Sequence, residues 1–220
     1  MVTVALSSIP PRFGGLHCRL QRIAQQGPDR IFLSIPWVYD RFPDWDGDLP
    51  DVPANVTIER CLDRGPATKF LTAFAKFPDD DILIADDDCD YGIGWLDAFK
   101  RARKRHPNAV IAASRFCPDR LGQRPGGDIV QGFAGVMLKP VWLQPGIFKI
   151  DERAQWVDDI WLSAHISKSR LAVVEAPDAR AEVIAINAPD QLQDVVIDGA
   201  SRADLNRLVA QDLHEKLGVW

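Results

Sequence analysis

The sequence predicts an α/β protein: a mostly parallel central sheet flanked by helices, with a smaller mixed region in its second half. Three observations predict it. Dense apolar runs such as Ile82-Leu83-Ile84-Ala85 have the length and flanking turn formers of strands buried on both faces of a parallel sheet. Segments between such runs repeat apolar residues at helical spacing. Strand and helix also alternate through the first half, which implies right-handed crossovers and parallel pairing.

Residues 2–6 form a first strand, broken by Ser7-Ser8-Ile9-Pro10-Pro11-Arg12. Leu16, Leu20 and Ile23 mark a helix that Gly27-Pro28 ends. Residues 30–35 make a second strand, followed by an irregular Pro/Asp/Trp-rich loop over 36–53. A short strand at 56–59 precedes a helix opened by Gly65-Pro66, with Phe70, Leu71, Phe74 and Phe77 on its apolar face. The acidic-ended strand at 82–85 leads to a helix over 95–106 and a strand over 109–113. The second half is less regular. A strand-like run at 129–138 carries Gly132 and Gly135, and a helix spans 156–167. A strand at 171–175 and an amphipathic helix at 202–217 follow.

At 220 residues, 46% hydrophobic and 26% charged, the chain supports one substantial core. With no repeat or Ser/Gly-rich linker to split it, one domain over 1–220 is expected. A net charge of −5 argues against a protein built to bind nucleic acid. Cys18, Cys61, Cys89 and Cys117 are scattered, without metal-ligand spacing, as reduced cytoplasmic thiols would be. The first residues lack the pattern of a signal peptide, and no segment reaches the roughly 18–20 apolar residues that span a bilayer. The expected location is the cytoplasm.

Asp86-Asp87-Asp88-Cys89-Asp90 ends the 82–85 strand, and ligands bind beyond the carboxyl ends of strands in open α/β sheets. Each carboxylate pair at 4 Å repels by about 1 kcal/mol in water and about 4 kcal/mol at an effective dielectric of 20. No basic residue lies within several positions to offset this. A divalent cation would offset it, and hard oxygen ligands favour Mg²⁺ or Mn²⁺. In an extended segment Asp86 and Asp88 share one side, while Asp87 points away. A solvated acidic turn is the plainer alternative. An EF-hand loop is disfavoured, because Tyr91 and Asp97 stand where it needs Gly and Glu.

A second acidic pair, Asp158-Asp159, opens the 156–167 helix. It suits a general base, which needs a carboxylate within reach of a hydroxyl. It equally suits a helix cap and a first-turn acid. Arg12, stiffened by two prolines, offers a phosphate-binding fork or is a surface loop residue. Lys69 lies near a helix start that attracts phosphate, or is solvated. Gly132 and Gly135 mark close ligand approach or a structural kink. Trp156 offers a stacking face for a sugar ring. The basic run Lys100, Arg101, Arg103, Lys104 and Arg105 is a solvated helix face, or a contact with anionic lipid at a membrane surface.

Four stretches together resemble a glycosyltransferase of the GT-A fold (the nucleotide-diphospho-sugar transferase fold), close to the family 2 type. They are Val4 through Arg12, Gly65-Pro66-Ala67-Thr68-Lys69, Ile84-Ala85-Asp86-Asp87-Asp88 with its DxD-type pattern, and Trp156 through Leu162. The resemblance implies transfer of a sugar, of hexosyl type, from a nucleoside diphosphate donor to a saccharide or lipid-linked acceptor hydroxyl. It implies inversion; the single-domain size without a membrane segment adds the expectation of a cytoplasmic role in surface glycan or lipid-linked saccharide synthesis. By similarity, residues 1–115 form the nucleotide-binding half and 116–220 the acceptor-side half. Asp88 would hold the metal; Asp86 and Asp87 would serve the ribose, the sugar or a metal-bound water. Ser8, Pro10, Arg12 and Lys69 would line the donor, and Gly132, Gly135 and Trp156 the acceptor. Asp159, the second acid of the pair, would be the base, with Asp158 beside it. A nucleotidyltransferase on a related sheet, or a non-catalytic binding domain of this fold, are the rival readings.

Overall fold

The protein is described by a computed structural model covering residues 1–190 and 199–220. The chain begins with β1 (Val2–Ser7), α1 (Leu16–Ala24), β2 (Arg30–Pro36), β3 (Val56–Cys61), α2 (Thr68–Lys76) and β4 (Asp81–Ile84). Next come β5 (Cys89–Tyr91), α3 (Trp95–Arg105), β6 (Val110–Ala112), β7 (Arg115–Phe116), β8 (Ile129–Val130) and β9 (Val136–Leu138). It closes with α4 (Asp158–Lys168), β10 (Val173–Glu175), α5 (Pro177–Ala181), β11 (Val183–Ala185) and α6 (Arg202–Leu217).

Seven strands make one sheet in the order β10-β6-β9-β4-β1-β2-β3. Every neighbouring pair is parallel except those of β9, which runs antiparallel to β4 and β6. The alternation of strand side chains divides the apolar residues between two cores. Val4, Leu6, Ile31, Leu33, Ile35 and Leu83 meet α1, α3 and α5 through Leu20, Ile23, Trp95, Phe99 and Ala179. Ala5, Phe32, Ile82 and Ile84 meet α2, α4 and α6 through Phe70, Phe74, Leu162 and Leu213. Each fully buried Leu or Phe of this kind contributes about 1.5–3 kcal/mol. The two cores, one per sheet face, explain why these strands read as unbroken apolar runs.

The order also fixes where a ligand fits. After β1 the chain runs outward through β2 and β3, then returns to β4 on the other side of β1. Strand order reverses between β1 and β4, and such a switch point opens a crevice beyond the carboxyl ends. Ser8 and Asp86–Asp88 follow those two ends.

Several expectations change. The helix expected at Gly65-Pro66 starts at Thr68; Gly65 has φ +54° and Pro66 lies in the turn before the helix. The 129–138 run is not one strand. It breaks into β8, a 3₁₀ turn at Gly132–Ala134 and β9, with Gly135 at φ +110°. The strands β5 and β11 pair as an antiparallel ribbon, and the Ile186 N–H extends it by donating to the Asp88 carbonyl at 2.8 Å. The basic run is not one solvated face. Arg103 turns inward to Asp81 at 2.9 Å and the Met137 carbonyl, and Lys100 donates to the Gly27 carbonyl. Among the described residues no helix is long and apolar enough to cross a membrane.

Candidate active site

A cavity of about 460 Å³ opens at the crevice, in the size range of small-molecule sites. One of its walls is the turn after β4, where β-alternation has ended. Asp87 is therefore not directed away: it is buried, and its two oxygens take the Ser8 hydroxyl at 2.5 Å and Arg12 Nη1 at 2.7 Å. The same Nη1 reaches Asp88 Oδ2 at 3.1 Å. Burial disfavours the Arg12 charge, but Asp87 and Asp88 more than restore it. Ser8 is itself held by Tyr39, whose hydroxyl donates to the Ser8 carbonyl at 2.7 Å. Tyr39 packs edge-on to Phe42 and Trp45, so the irregular loop carries an aromatic brace. The turn is pinned from below by Tyr91. Its hydroxyl accepts from the Asp86 N–H at 2.8 Å and donates to the Phe133 carbonyl at 3.0 Å.

Lys69, in the first turn of α2, is buried and joins the two acidic sets. Its Nζ lies 2.5 Å from Asp86 Oδ1 and 2.8 Å from Asp158 Oδ2. Burial alone would lower the ammonium pKa, but Asp158 and Asp86 outweigh it and hold it well above its usual value. Arg202, the first residue of α6, reaches Asp158 Oδ1 at 3.6 Å. Asp158 is thus an ion-paired residue, not the cap; Val157 occupies the cap position. Asp159 has a different environment. Its Oδ1 accepts from the Gly132 N–H at 2.8 Å, and burial, then Asp158, push its carboxyl up to about 7. A Cβ on Gly132 would sit 3.1 Å from both Asp159 Oδ1 and Lys69 Nζ, so these two side chains would have to shift by a few tenths of an ångström to admit it.

The cavity thus gathers Ser8, Arg12, Lys69, Asp86, Asp87, Asp88, Trp156, Asp158 and Asp159 from the sequence-predicted set. Gly132 touches two of these but does not itself line the wall. Pro10 starts the 3₁₀ turn that presents Arg12 and is not at the wall. Gly135 lies in the core, where a Cβ would meet Phe99 and Trp95 within 3 Å. Asp90 turns away to Arg22. Sequence reasoning missed Tyr39, Arg41, Asp63, Phe133 and Arg202. Asp63 follows β3 and accepts from the Asp40 and Gly65 N–H groups, while burial raises its carboxyl pKa. A signal for Arg202 was present: Ser201 and Asp204 form a capping box that makes it the first helical residue.

Among the described residues no three His, Cys, Asp or Glu side chains group to hold a metal unaided. Asp86 and Asp88 nevertheless suit a shared ion. Both carboxyls face the cavity and have raised pKa values, through burial first; neighbouring carboxylates add to it, Asp88 for Asp86 and Asp87 for Asp88. Mg²⁺-type sites commonly use one or two carboxylates and complete the shell with substrate phosphates. The donor set fits an ion that arrives with a phosphate ligand.

No family model matches the sequence, and no curated protein matches it. Among solved structures, the chain is similar to the mannosyltransferase PcManGT from Pyrobaculum calidifontis, in complex with GDP-Man and Mn²⁺. The TM-score is 0.51 at 16% identity, over 86% of this chain. The fold is that of a glycosyltransferase. This chain spans 57% of the length of that solved glycosyltransferase chain. In the glycosyltransferase fold seen here, a mostly parallel seven-stranded sheet presents both acidic sets at its carboxyl edge.

Proposed function

We propose that the protein is a metal-dependent glycosyltransferase that moves a sugar from a nucleoside diphosphate donor to an acceptor hydroxyl, with inversion. The chief support is that Lys69 joins Asp86 and Asp158 at 2.5 and 2.8 Å. It thereby draws the acids of the donor side and those of a base into one cavity. The chain acts as one domain, with 1–115 holding the donor and 116–220 the acceptor. The acceptor is a saccharide or lipid-linked saccharide of a surface glycan, and the setting is cytoplasmic, in keeping with four free thiols.

Asp88, with Asp86 beside it, would hold Mn²⁺ or Mg²⁺ against the donor diphosphate. An ion held by these residues would supply neutralisation of the charge developing on the leaving group, a contribution of several kcal/mol. The remaining work falls to side chains. Arg12 offers its fork to phosphate, and Ser8 and Asp87 fix the strand end against which the nucleotide lies. Asp159 takes the acceptor proton. A base is most effective with a pKa near the working pH, and a carboxyl raised to about 7 meets that condition. Asp158, tied to Lys69 and Arg202, stays in place beside it. Trp156 provides an apolar face at the cavity wall.

The test is a thermal-shift screen of nucleoside diphosphates with and without Mn²⁺, followed by turnover with the matching sugar donor. One diphosphate should stabilise the protein only with metal, and Asp88→Ala should abolish that effect. Asp159→Ala should keep the binding and lose turnover. Full turnover in Asp159→Ala would refute the assignment of the base.

A further inference from the structure

Resting on the metal-dependent reading above, we propose that Arg12 is the resident counter-ion of Asp88, as Lys69 is of Asp86. It occupies Asp88 until a diphosphate arrives, and so makes metal binding conditional on that diphosphate. Arg12 Nη1 bridges Asp87 Oδ1 at 2.7 Å and Asp88 Oδ2 at 3.1 Å, with only 9% of its side chain exposed. One nitrogen therefore lies against Asp88, one of the two carboxylates that would hold the ion. A divalent cation beside a desolvated guanidinium is repelled, because little solvent lies between them to screen the charges.

The remaining contacts show how Arg12 gives way. Asp87 is fixed by the Ser8 hydroxyl on its other oxygen, at 2.5 Å. Arg12 Nε donates to the Pro189 carbonyl at 2.9 Å, and Nη2 to the Asp190 carbonyl at 3.3 Å. The guanidinium is thus anchored by Asp87 and two backbone carbonyls, and Asp88 is the longer of its two ion pairs. A small pivot that yields Asp88 keeps the other anchors. A diphosphate supplies the negative charge that turns Nη1 off Asp88, its longer contact, while it stays within reach of Asp87, and Asp88 is then free for the ion. An arginine that only bound phosphate would make no difference to metal binding in the absence of nucleotide. This arginine suppresses it.

The experiment measures Mn²⁺ binding from the spectroscopic signal of the free ion. It uses the wild-type protein, Arg12→Gln and Arg12→Lys, each checked by its melting curve. Without nucleotide, Arg12→Gln should bind Mn²⁺ about tenfold more tightly than wild type, and Arg12→Lys, which keeps the charge, within roughly threefold of it. With GDP or UDP present, wild type should gain about tenfold in Mn²⁺ affinity beyond the ion's own affinity for the nucleotide, and Arg12→Gln much less. Unchanged or weaker binding of Mn²⁺ alone by Arg12→Gln overturns the proposal. If that variant does not fold, tight Mn²⁺ binding by wild type without nucleotide still overturns the proposal, and Arg12→Met takes the place of Arg12→Gln in the comparison, with the same outcomes. Absence of any diphosphate binding would bring down the glycosyltransferase reading and this proposal together. Metal-dependent diphosphate binding with no effect of Arg12→Gln would remove only the role given to Arg12.

Discussion

Lys69 is a single ammonium shared by Asp86 and Asp158, with Asp159 close by, and the unequal sharing sorts the acids. Asp158 has the direct ion pair, whereas Asp159 has one backbone N–H and a carboxylate neighbour, so burial and Asp158 lift it to about 7. If Asp159 is the base, turnover should rise with pH along a limb centred near 7. Asp159→Asn should remove that limb along with most activity, as a pH–rate profile would record. The stability linkage has the opposite slope. A carboxyl at about 7 when folded, against its ordinary 3.8, favours the folded state at acid pH and loses that contribution as pH rises through 7. Melting curves should therefore show Asp159→Asn more stabilised over wild type at pH 8 than at pH 5. Replacing Lys69 by Met leaves Asp86 and Asp158 buried without their common partner. Breaking a buried pair in this way costs about 3–5 kcal/mol, measurable by denaturant unfolding. The acids themselves were legible in the sequence, as was the advantage of a cation beside them. Their actual counter-charges were not, because Arg12 lies 75 positions from Asp87 and Lys69 lies 17 from Asp86. Asp87 was misdirected for a related reason: strand alternation stops at Ile84, three residues too early to govern it.

Individual elements differ in how much of their form local sequence dictates. The helices α1, α3 and α6 and the strands β1, β2 and β4 carry clear periodicity, and each lies within a few residues of its expected place. The 129–138 run is continuous in hydrophobicity but not in backbone. Gly132 opens a 3₁₀ turn and Gly135 adopts φ +110°, a conformation that composition does not reveal. These two glycines make separable predictions. Gly135→Ala combines a strained backbone with a Cβ within 3 Å of Phe99 and Trp95, and should cost about 1–3 kcal/mol or more in a denaturation experiment. Gly132→Ala presses on Asp159 and Lys69 instead. Its loss should be catalytic, about tenfold to a hundredfold in kcat, with melting nearly unchanged.

For the molecule as a whole, alternation of strand and helix was enough to anticipate a parallel sheet, and the acidic cluster marked the carboxyl end of β4 as the place where a crevice opens. The β5–β11 ribbon was not anticipated. It joins two three-residue strands from distant parts of the chain, each too short for a periodic pattern to register. Occupying the crevice should stabilise the whole fold. A diphosphate with Mn²⁺ at a hundred times its Kd contributes about 2.7 kcal/mol. For a chain of this length that is a rise of roughly 5–10 °C in Tm. The reversed strand β9 has a geometric consequence of its own. Val136, its first residue, stands opposite Ile84 and Ala112, where β4 and β6 finish. The peptide leading into β9 therefore emerges on the rim of the cavity, and the amide of Gly132 is delivered to Asp159 without any excursion. Had β9 pointed the same way as its neighbours, that amide would have begun about 10 Å lower, at the opposite border of the sheet. One inverted strand lets the chain visit the cavity's edge from both directions.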